Sequence, residues 1–357
     1  MNKTTQIVKA SGTRYECGHQ HGEQAAEEIK YNLKYYFGWW ERNLKMSKDE
    51  VYEYIDNVLD ATKAYDSGLL EEMRGIADAV EVDLEAVAAL NGRYELAWAS
   101  PEQLMGGCTC IAALPIRTES RNTLLAQNWD YRVDVQDTCI ILKVKVDDGP
   151  SVVMHTEAGI IGHKGLNSEG IGIVLNAMVS DRDKLGESVP FFLVCRKMLD
   201  SPRFSEATKE LLNAERSLSY NVMMAGKGIA VSLEAHPEDV SIIYPEYGVM
   251  AHTNHFVGDR ALQIKDKFVL SETSSINRYI MAKNKLNTHD AHSFESFKEM
   301  LTDHYDHPTS ICHHPDKSKH RDHWEETVSS VYMEPERLLF MYTAGPPCSN
   351  QYTQVAL

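Results

Sequence analysis

The sequence predicts a layered α+β protein, with stacked sheets and helices packed outside them. Three observations lead there. The first hundred residues carry apolar side chains at helical spacing. Near Gly106 the pattern changes to short alternating runs separated by turn residues. Antiparallel hairpins then outnumber regular strand–helix–strand crossovers. The 357 residues include 43% apolar and 25% charged side chains, enough for a sizeable core. No internal repeat or low-complexity tract interrupts them.

Residues 6–18 read as an extended segment and a turn. A helix is expected over 23–43, from Ala26, Ile29, Leu33 and Phe37. Further helices are expected over 48–65 and 69–80. Asp83 is placed to cap another that carries Val87, Leu90, Tyr94 and Trp98, with Asn91-Gly92 as a candidate break. The runs 109–116 and 123–128, joined by a polar turn, predict a hairpin. Strands follow over 139–146, 151–155 and 171–175. Helices are expected over 189–199 and 205–213, strands within 219–234 and 240–251, and helices over 275–286 and 294–303. A polar loop spans 303–326 and is the best place for a lid. The last hairpin pairs 327–333 with 338–343.

The net charge of −16 argues against nucleic acid and anionic membrane surfaces as partners. No apolar run is long enough to span a bilayer, and residues 1–16 lack a signal-type apolar core. The seven cysteines form no disulfide framework, so a reducing, cytoplasmic compartment is expected.

Chemistry centres on Cys108. Gly107 before it gives an attacking thiol room to reach the preceding carbonyl. Cleavage there would free the Cys108 amine, which titrates near ~8 and can take the thiol proton. The hairpin would return Asp130 to the same place. Asn254 ends an apolar strand, between His252 and His255, and a side-chain amide there suits an oxyanion donor. Cys110 is the rival thiol, on the same strand face but without the preceding glycine. His304, His307, His313, His314, His320 and His323 crowd the polar loop. Their spacing matches no zinc pattern, so a solvated loop is expected and no metal is assigned. A metal-dependent hydrolase built on these histidines is the less favoured alternative. Gly170-Ile-Gly172 suits a hairpin rather than a phosphate loop.

Gly107-Cys-Thr109, Gln127-Asn-Trp-Asp130 and His252-Thr-Asn-His255, in this order, resemble the isopenicillin N acyltransferase family, peptidase family C45. Gly12-Thr-Arg-Tyr-Glu-Cys-Gly18, Gly165-Leu-Asn-Ser168 and Ser310-Ile-Cys312 extend the likeness over most of the chain. The resemblance implies the four-layer αββα fold of N-terminal nucleophile hydrolases. It implies a zymogen that cuts itself between Gly107 and Cys108. The mainly helical fragment 1–107 would stay associated with fragment 108–357 as one composite domain. By position, Cys108 is implied as nucleophile, Asp130 as a supporting residue and Asn254 as oxyanion donor. Ser310 and Arg278 are implied as substrate-binding or supporting residues.

The implied reaction passes an acyl group from a small N-acyl amide or peptide-like substrate through a thioacyl-enzyme to water or an amine. No cofactor is expected, although a coenzyme A thioester stays open as acyl donor, as does a homo-oligomer. Two departures argue against a penicillin substrate. His313 stands where the family often has arginine, and residues 117–122 lengthen the hairpin. A catalytically silent binding relative is the third possibility, opposed by the presence of Cys108, Asp130 and Asn254 together.

Overall fold

A computed structural model describes residues 5–97, 107–259 and 263–357. Trp98 and Gly106 of the predicted elements lie outside them. Two sheets form among the described residues. The larger runs edge to edge through β1 (Gln6–Gly12), β4 (Cys139–Val146), β5 (Ser151–Glu157), β6 (Gly165–Asn167), β7 (Gly172–Ala177), β8 (Tyr220–Gly226), β9 (Ile229–His236) and β10 (Asp239–Ile243). The smaller runs through β11 (Val249–His252), β2 (Gly107–Ala113), β3 (Leu124–Arg132), β12 (Glu325–Glu334), β13 (Leu339–Ala344) and β14 (Thr353–Val355). The β1–β4 pair is parallel and the other strand pairs are antiparallel.

Alternation along the strands sorts side chains into layers. Cys110, Ala112, Leu125, Val331 and Phe340 of the smaller sheet meet Ile141, Val153, Val174 and Met223 of the larger one in a buried inter-sheet core. The outer face of the larger sheet, through Ile140, Leu142, Ile173 and Val222, packs on helices of the first hundred residues and on α6. These helices are α1 (Arg14–Gln24), α2 (Ala26–Trp39), α3 (Lys48–Val80), α4 (Leu84–Asn91) and α5 (Arg93–Ala97), followed later by α6 (Phe191–Asp200) and α7 (Phe204–Asn213). The outer face of the smaller sheet, through Ile111, Leu124 and Tyr332, packs on α9 (Ser274–Thr288) and α10 (Phe294–Leu301), with the short α8 (Phe268–Ser271) before them. The result is the expected αββα arrangement.

Several local expectations need correction. The turn assigned before residue 23 is helical. Thr13 caps α1 through a capping box with Glu16, which starts the helix at Arg14. The two helices expected over 48–65 and 69–80 do form within α3, divided at Asp66, whose backbone is extended (φ −161°, ψ 107°). Asp83 occupies the cap position of α4, but its carboxylate accepts from Tyr52 Oη and Lys48 Nζ instead of capping. The Asn91-Gly92 break is real and divides α4 from α5. Nor is 303–326 wholly solvated, because Ser310, Ile311 and Cys312 are buried. Asn128 Nδ2 draws this segment in by donating to the carbonyls of Leu301 and Ile311, both at 2.8 Å. No described helix is long and apolar enough to cross a membrane.

The segment bearing His163 lies directly against α6. A Cβ at Gly162 would stand 1.9 Å from the Phe192 carbonyl oxygen and 2.9 Å from Arg196 N. Gly162→Ala must therefore push α6 outward, and overpacking of this kind typically costs about 1–3 kcal/mol. Thermal unfolding of the variant should show a lowered midpoint; an unchanged midpoint would show that the contact yields freely.

Candidate active site

The β2–β3 hairpin does what its periodicity requires. Gly107 pairs with Asp130 and Cys108 with Trp129, in an unbroken register up to Ala113–Leu124. The longer 117–122 turn therefore leaves the base of the hairpin intact. Its docking is explicit: Arg117 donates to the carbonyls of Tyr247, Leu286, His289 and Asp290.

The peptide groups of Cys108 are held by side chains from distant segments. Its N–H donates to Asn254 Oδ1 at 2.9 Å. Its carbonyl accepts from Arg278 Nη1 at 2.7 Å and from Asn176 Nδ2 at 3.1 Å. Arg278 Nη2 also donates to Asn254 Oδ1 at 2.9 Å, which closes the ring of contacts. Helix α9 places both partners. Its Ser275 Oγ accepts from Asn254 N at 2.9 Å, and Arg278 follows one turn later. Asn254 Nδ2 donates one proton to the Ala177 carbonyl at 2.9 Å and retains a second.

Asp130 is buried beside this ring. Thr327 Oγ1 donates to its Oδ1 at 2.6 Å, whereas Oδ2 has no hydrogen-bond partner among the described residues. That free oxygen lies 3.2 Å from where a Gly107 Cβ would be, and Arg278 Nη2 lies 3.0 Å from the same point. A larger residue at 107 would crowd both charges. Burial pushes the Asp130 carboxyl up to about 7, against the opposing pull of Arg278 and the Thr327 hydrogen bond. Burial also pushes the Cys108 thiol up to about 12, helped by Asp130 and opposed by Lys164 and Arg278. The thiol is therefore protonated at neutral pH while Cys108 sits within the chain, and an attack from it needs a base. Asp130 keeps one oxygen without a partner among the described residues, beside Gly107.

Lys164 and Asn176 join the site with no signal in the sequence. Lys164 is fully buried, its Nζ 4.0 Å from the centre of the Trp129 ring and 3.3 Å from His163 Nδ1. Burial lowers it to about 7, with Cys139, Cys108 and Glu157 pulling the other way. Its sequence setting, a lysine between two hairpin residues, carries no signal of this. Ser310 is not drawn into the ring: its Oγ donates to the Cys312 carbonyl at 2.7 Å. Nearby His313 is buried and held neutral, lowered to about 3 chiefly by desolvation. The rival thiol Cys110 faces the inter-sheet core, donating to the Leu175 carbonyl at 3.5 Å, and burial raises it well above the usual thiol range. His252 is not available to a metal, because Nε2 meets Glu234 Oε1 at 2.9 Å and Nδ1 meets the Thr253 carbonyl at 2.8 Å.

A small cavity of about 60 Å³ opens against Gly107, Cys108 and Asp130. Tyr94, Phe191, Phe192 and Phe268 supply much of its wall. The arrangement joins a thiol, a carboxylate and amide donors to an aromatic chamber, as acyl chemistry requires.

The model of the family described as acyl-coenzyme A:6-aminopenicillanic acid acyl-transferase matches residues 116–347. The chain belongs to this family. It is thus an enzyme of an acyltransferase family. The matched span contains Asp130, Asn254, Arg278 and Ser310 and begins beyond Cys108, so Cys108 is singled out by its geometry. The acyl-coenzyme A:6-aminopenicillanic-acid-acyltransferase 40 kDa form of Emericella nidulans is 27% identical over 307 residues, covering 85% of this chain and 84% of that protein. Among solved structures, similarity is found to a Caenorhabditis elegans N-acylethanolamine-hydrolyzing acid amidase ortholog (16% identity, TM-score 0.45, 64% of this chain and 93% of that one). It is also found to penicillin V acylase from Agrobacterium tumefaciens (13% identity, TM-score 0.47, 70% and 86%).

The Thr327 hydrogen bond favours the ionised form of Asp130. Thr327→Val removes a bond to a charged group and should raise the Asp130 pKa by about one unit. Any reaction that needs this carboxylate as a base should then have its acid limb moved to higher pH. A pH–rate profile that does not move would separate Asp130 from the chemistry.

Proposed function

We propose that this protein is a self-processing cysteine amidohydrolase or acyltransferase that uses Cys108 as an N-terminal nucleophile. The observation that carries the reading is the meeting of Gly107, Cys108 and the unpartnered Asp130 oxygen at one cavity wall. In the precursor, Asp130 takes the thiol proton and Sγ adds to the Gly107 carbonyl carbon. The C–N bond breaks, a C–S bond replaces it, and the departing nitrogen gains a proton. Water then releases the Gly107 carboxylate and returns the thiol. Fragments 1–107 and 108–357 stay together because β1 is hydrogen-bonded to β4 and α1–α4 share the core of the larger sheet.

The new α-amine of Cys108 is a base of near-neutral strength, close to ~8 in an unperturbed chain. Asn254 Oδ1 is positioned to orient it. The thiolate attacks the acyl carbon of a small N-acyl amide or peptide-like substrate whose acyl portion lies against Phe191, Phe192 and Phe268. The second Asn254 amide proton serves the oxyanion. The amine leaves, and water or an acceptor amine takes the acyl group from the thioester. Arg278 holds the nucleophile's backbone. Ser310 braces its loop, and His313 stands where the family often has arginine. The net charge of −16, with no coenzyme A signature in the sequence, favours hydrolysis. Transfer from a coenzyme A thioester is the alternative, and it is motivated by the family description.

Intact-mass analysis should find two fragments divided before Cys108 for the wild type, and a single 40.3 kDa chain for Cys108→Ala. A fully active wild type that remains intact would overturn the mechanism. Asn254→Ala should lower kcat by roughly 10²–10³ in the processed enzyme, the usual effect of removing an oxyanion donor. Assays with and without an acceptor amine discriminate transfer from hydrolysis.

A further inference from the structure

The histidine-crowded segment holds an arrangement that its histidine spacing conceals. His304, Cys312, His314 and Cys348 each offer one ligand atom, and all four atoms lie within 4.8 Å of one another. His304 Nε2 and His314 Nε2 are 3.0 Å apart. Cys312 Sγ and Cys348 Sγ stand 3.6 Å and 3.5 Å from His314 Nε2. A tetrahedral zinc ion with bonds of 2.0–2.3 Å needs ligand–ligand edges of roughly 3.3–3.8 Å. The four atoms need only small adjustments to meet that requirement.

We propose that these four residues hold one zinc ion in a closed structural site. The ligand set selects the metal: two thiolates and two imidazoles suit zinc and fit poorly with magnesium or calcium. Two thiolates balance the charge of a divalent ion, and each binding cysteine releases a proton. Four protein ligands leave no open position for water or substrate, so the ion has no part in the acyl chemistry. Its work is mechanical. His304 follows α10, Cys312 and His314 bracket the segment that returns to the smaller sheet, and Cys348 follows β13. One ion thus fastens three stretches of chain. His304 and Cys348 are exposed, which gives the ion a route of entry.

The site also bears on the carboxylate at the candidate active centre. His313, between two of the ligands, donates its N–H to Thr327 Oγ1 at 2.9 Å and accepts from Thr327 N at 3.1 Å. Thr327 Oγ1 in turn donates to Asp130. The ion fixes the loop that fixes Thr327, and its residues are positioning residues with respect to Asp130.

The test uses the full chain, purified without a polyhistidine tag or chelator. Elemental analysis should find one zinc per chain in the wild type and a small fraction of that in Cys348→Ser and in His304→Ala. Wild type stripped with a chelator and titrated with Co²⁺ should develop thiolate-to-cobalt charge-transfer absorption that saturates at one equivalent and is absent in Cys348→Ser. Stripping should also lower the thermal midpoint and restoring zinc should return it. The Co²⁺ titration needs only wild-type protein, so a variant that misfolds does not blunt the test. Equal zinc in wild type and variants, no thiolate–cobalt absorption, or a Cys312–Cys348 disulfide in non-reduced peptide maps would overturn the proposal. Self-cleavage before Cys108, read from the same samples by intact mass, reports separately on the catalytic reading.

Discussion

The structure depends on how the peptide groups on either side of the Cys108 Cα are satisfied. They lie where two sheets meet, out of reach of bulk water, and an unpaired buried N–H or carbonyl costs about 1–3 kcal/mol. β-Ladder pairing alone does not satisfy them. Asn254 comes from the strand end 146 residues away, Arg278 from α9, 170 residues away, and Asn176 from the facing sheet, 68 residues away. Each is itself tied down: Asn254 by Ser275 and Ala177, and Asn176 by Asn221, whose amide donates to it at 2.9 Å. Three of the four layers, the two sheets and the helical layer of α9, are pinned to one another through a single residue. Directional bonds of this kind fix position in a way that an apolar contact does not.

The same enclosure sets the electrostatics. Asp130, Lys164, Arg278 and Cys108 share a low-dielectric space in which each charge is felt by the others. Burial moves the carboxyl up and the amine down, so that both arrive near 7. A small change in surroundings can then change either charge. The thiol moves up as the carboxyl does, to about 12, as long as its residue is in mid-chain. A thiol so suppressed is safe in the precursor and needs a base to react. In the proposed reaction that base is Asp130 before cleavage and the freed α-amine after it.

Much of this was legible in the sequence because it is local. Alternation in 107–113 and 124–130 fixes the hairpin register, and with it the nearness of Asp130 to Cys108. Asn254 was found as a polar residue ending an apolar strand, and the helix-to-strand change near Gly106 marked where the sheets begin. What escaped depends on contacts between segments far apart. Lys164 reads as an ordinary hairpin lysine, and only the stacking of the sheets buries it against Trp129. Asn176 reads as a polar residue on a strand, and its partner comes from the other sheet. The proposed metal-ligand cluster is hidden for a related reason: two of its four members are cysteines, one of them 34 positions from its nearest partner in sequence. The α1 start was local and still missed, because the Thr13–Glu16 capping box was not read as a helix signal.

The irregularity in β12 shows how the backbone itself serves the site. The ladder between β12 and β3 is regular from Met333 to Ser329 and shifts between Ser329 and Thr327. A bulge re-aims the side chains on either side of it. Here it accompanies a Thr327 whose hydroxyl accepts from the His313 N–H and donates to Asp130. A hydroxyl has one proton to give, so a Thr327 committed to Oδ1 fixes the rotation of the carboxylate. The other oxygen is thereby turned toward Gly107 and has no donor among the described residues. An unsatisfied buried carboxylate oxygen is costly, and a fold that served stability alone would supply a partner. Its position, beside the one bond whose downstream half is held by Asn254, Arg278 and Asn176, is what a reaction at that bond requires.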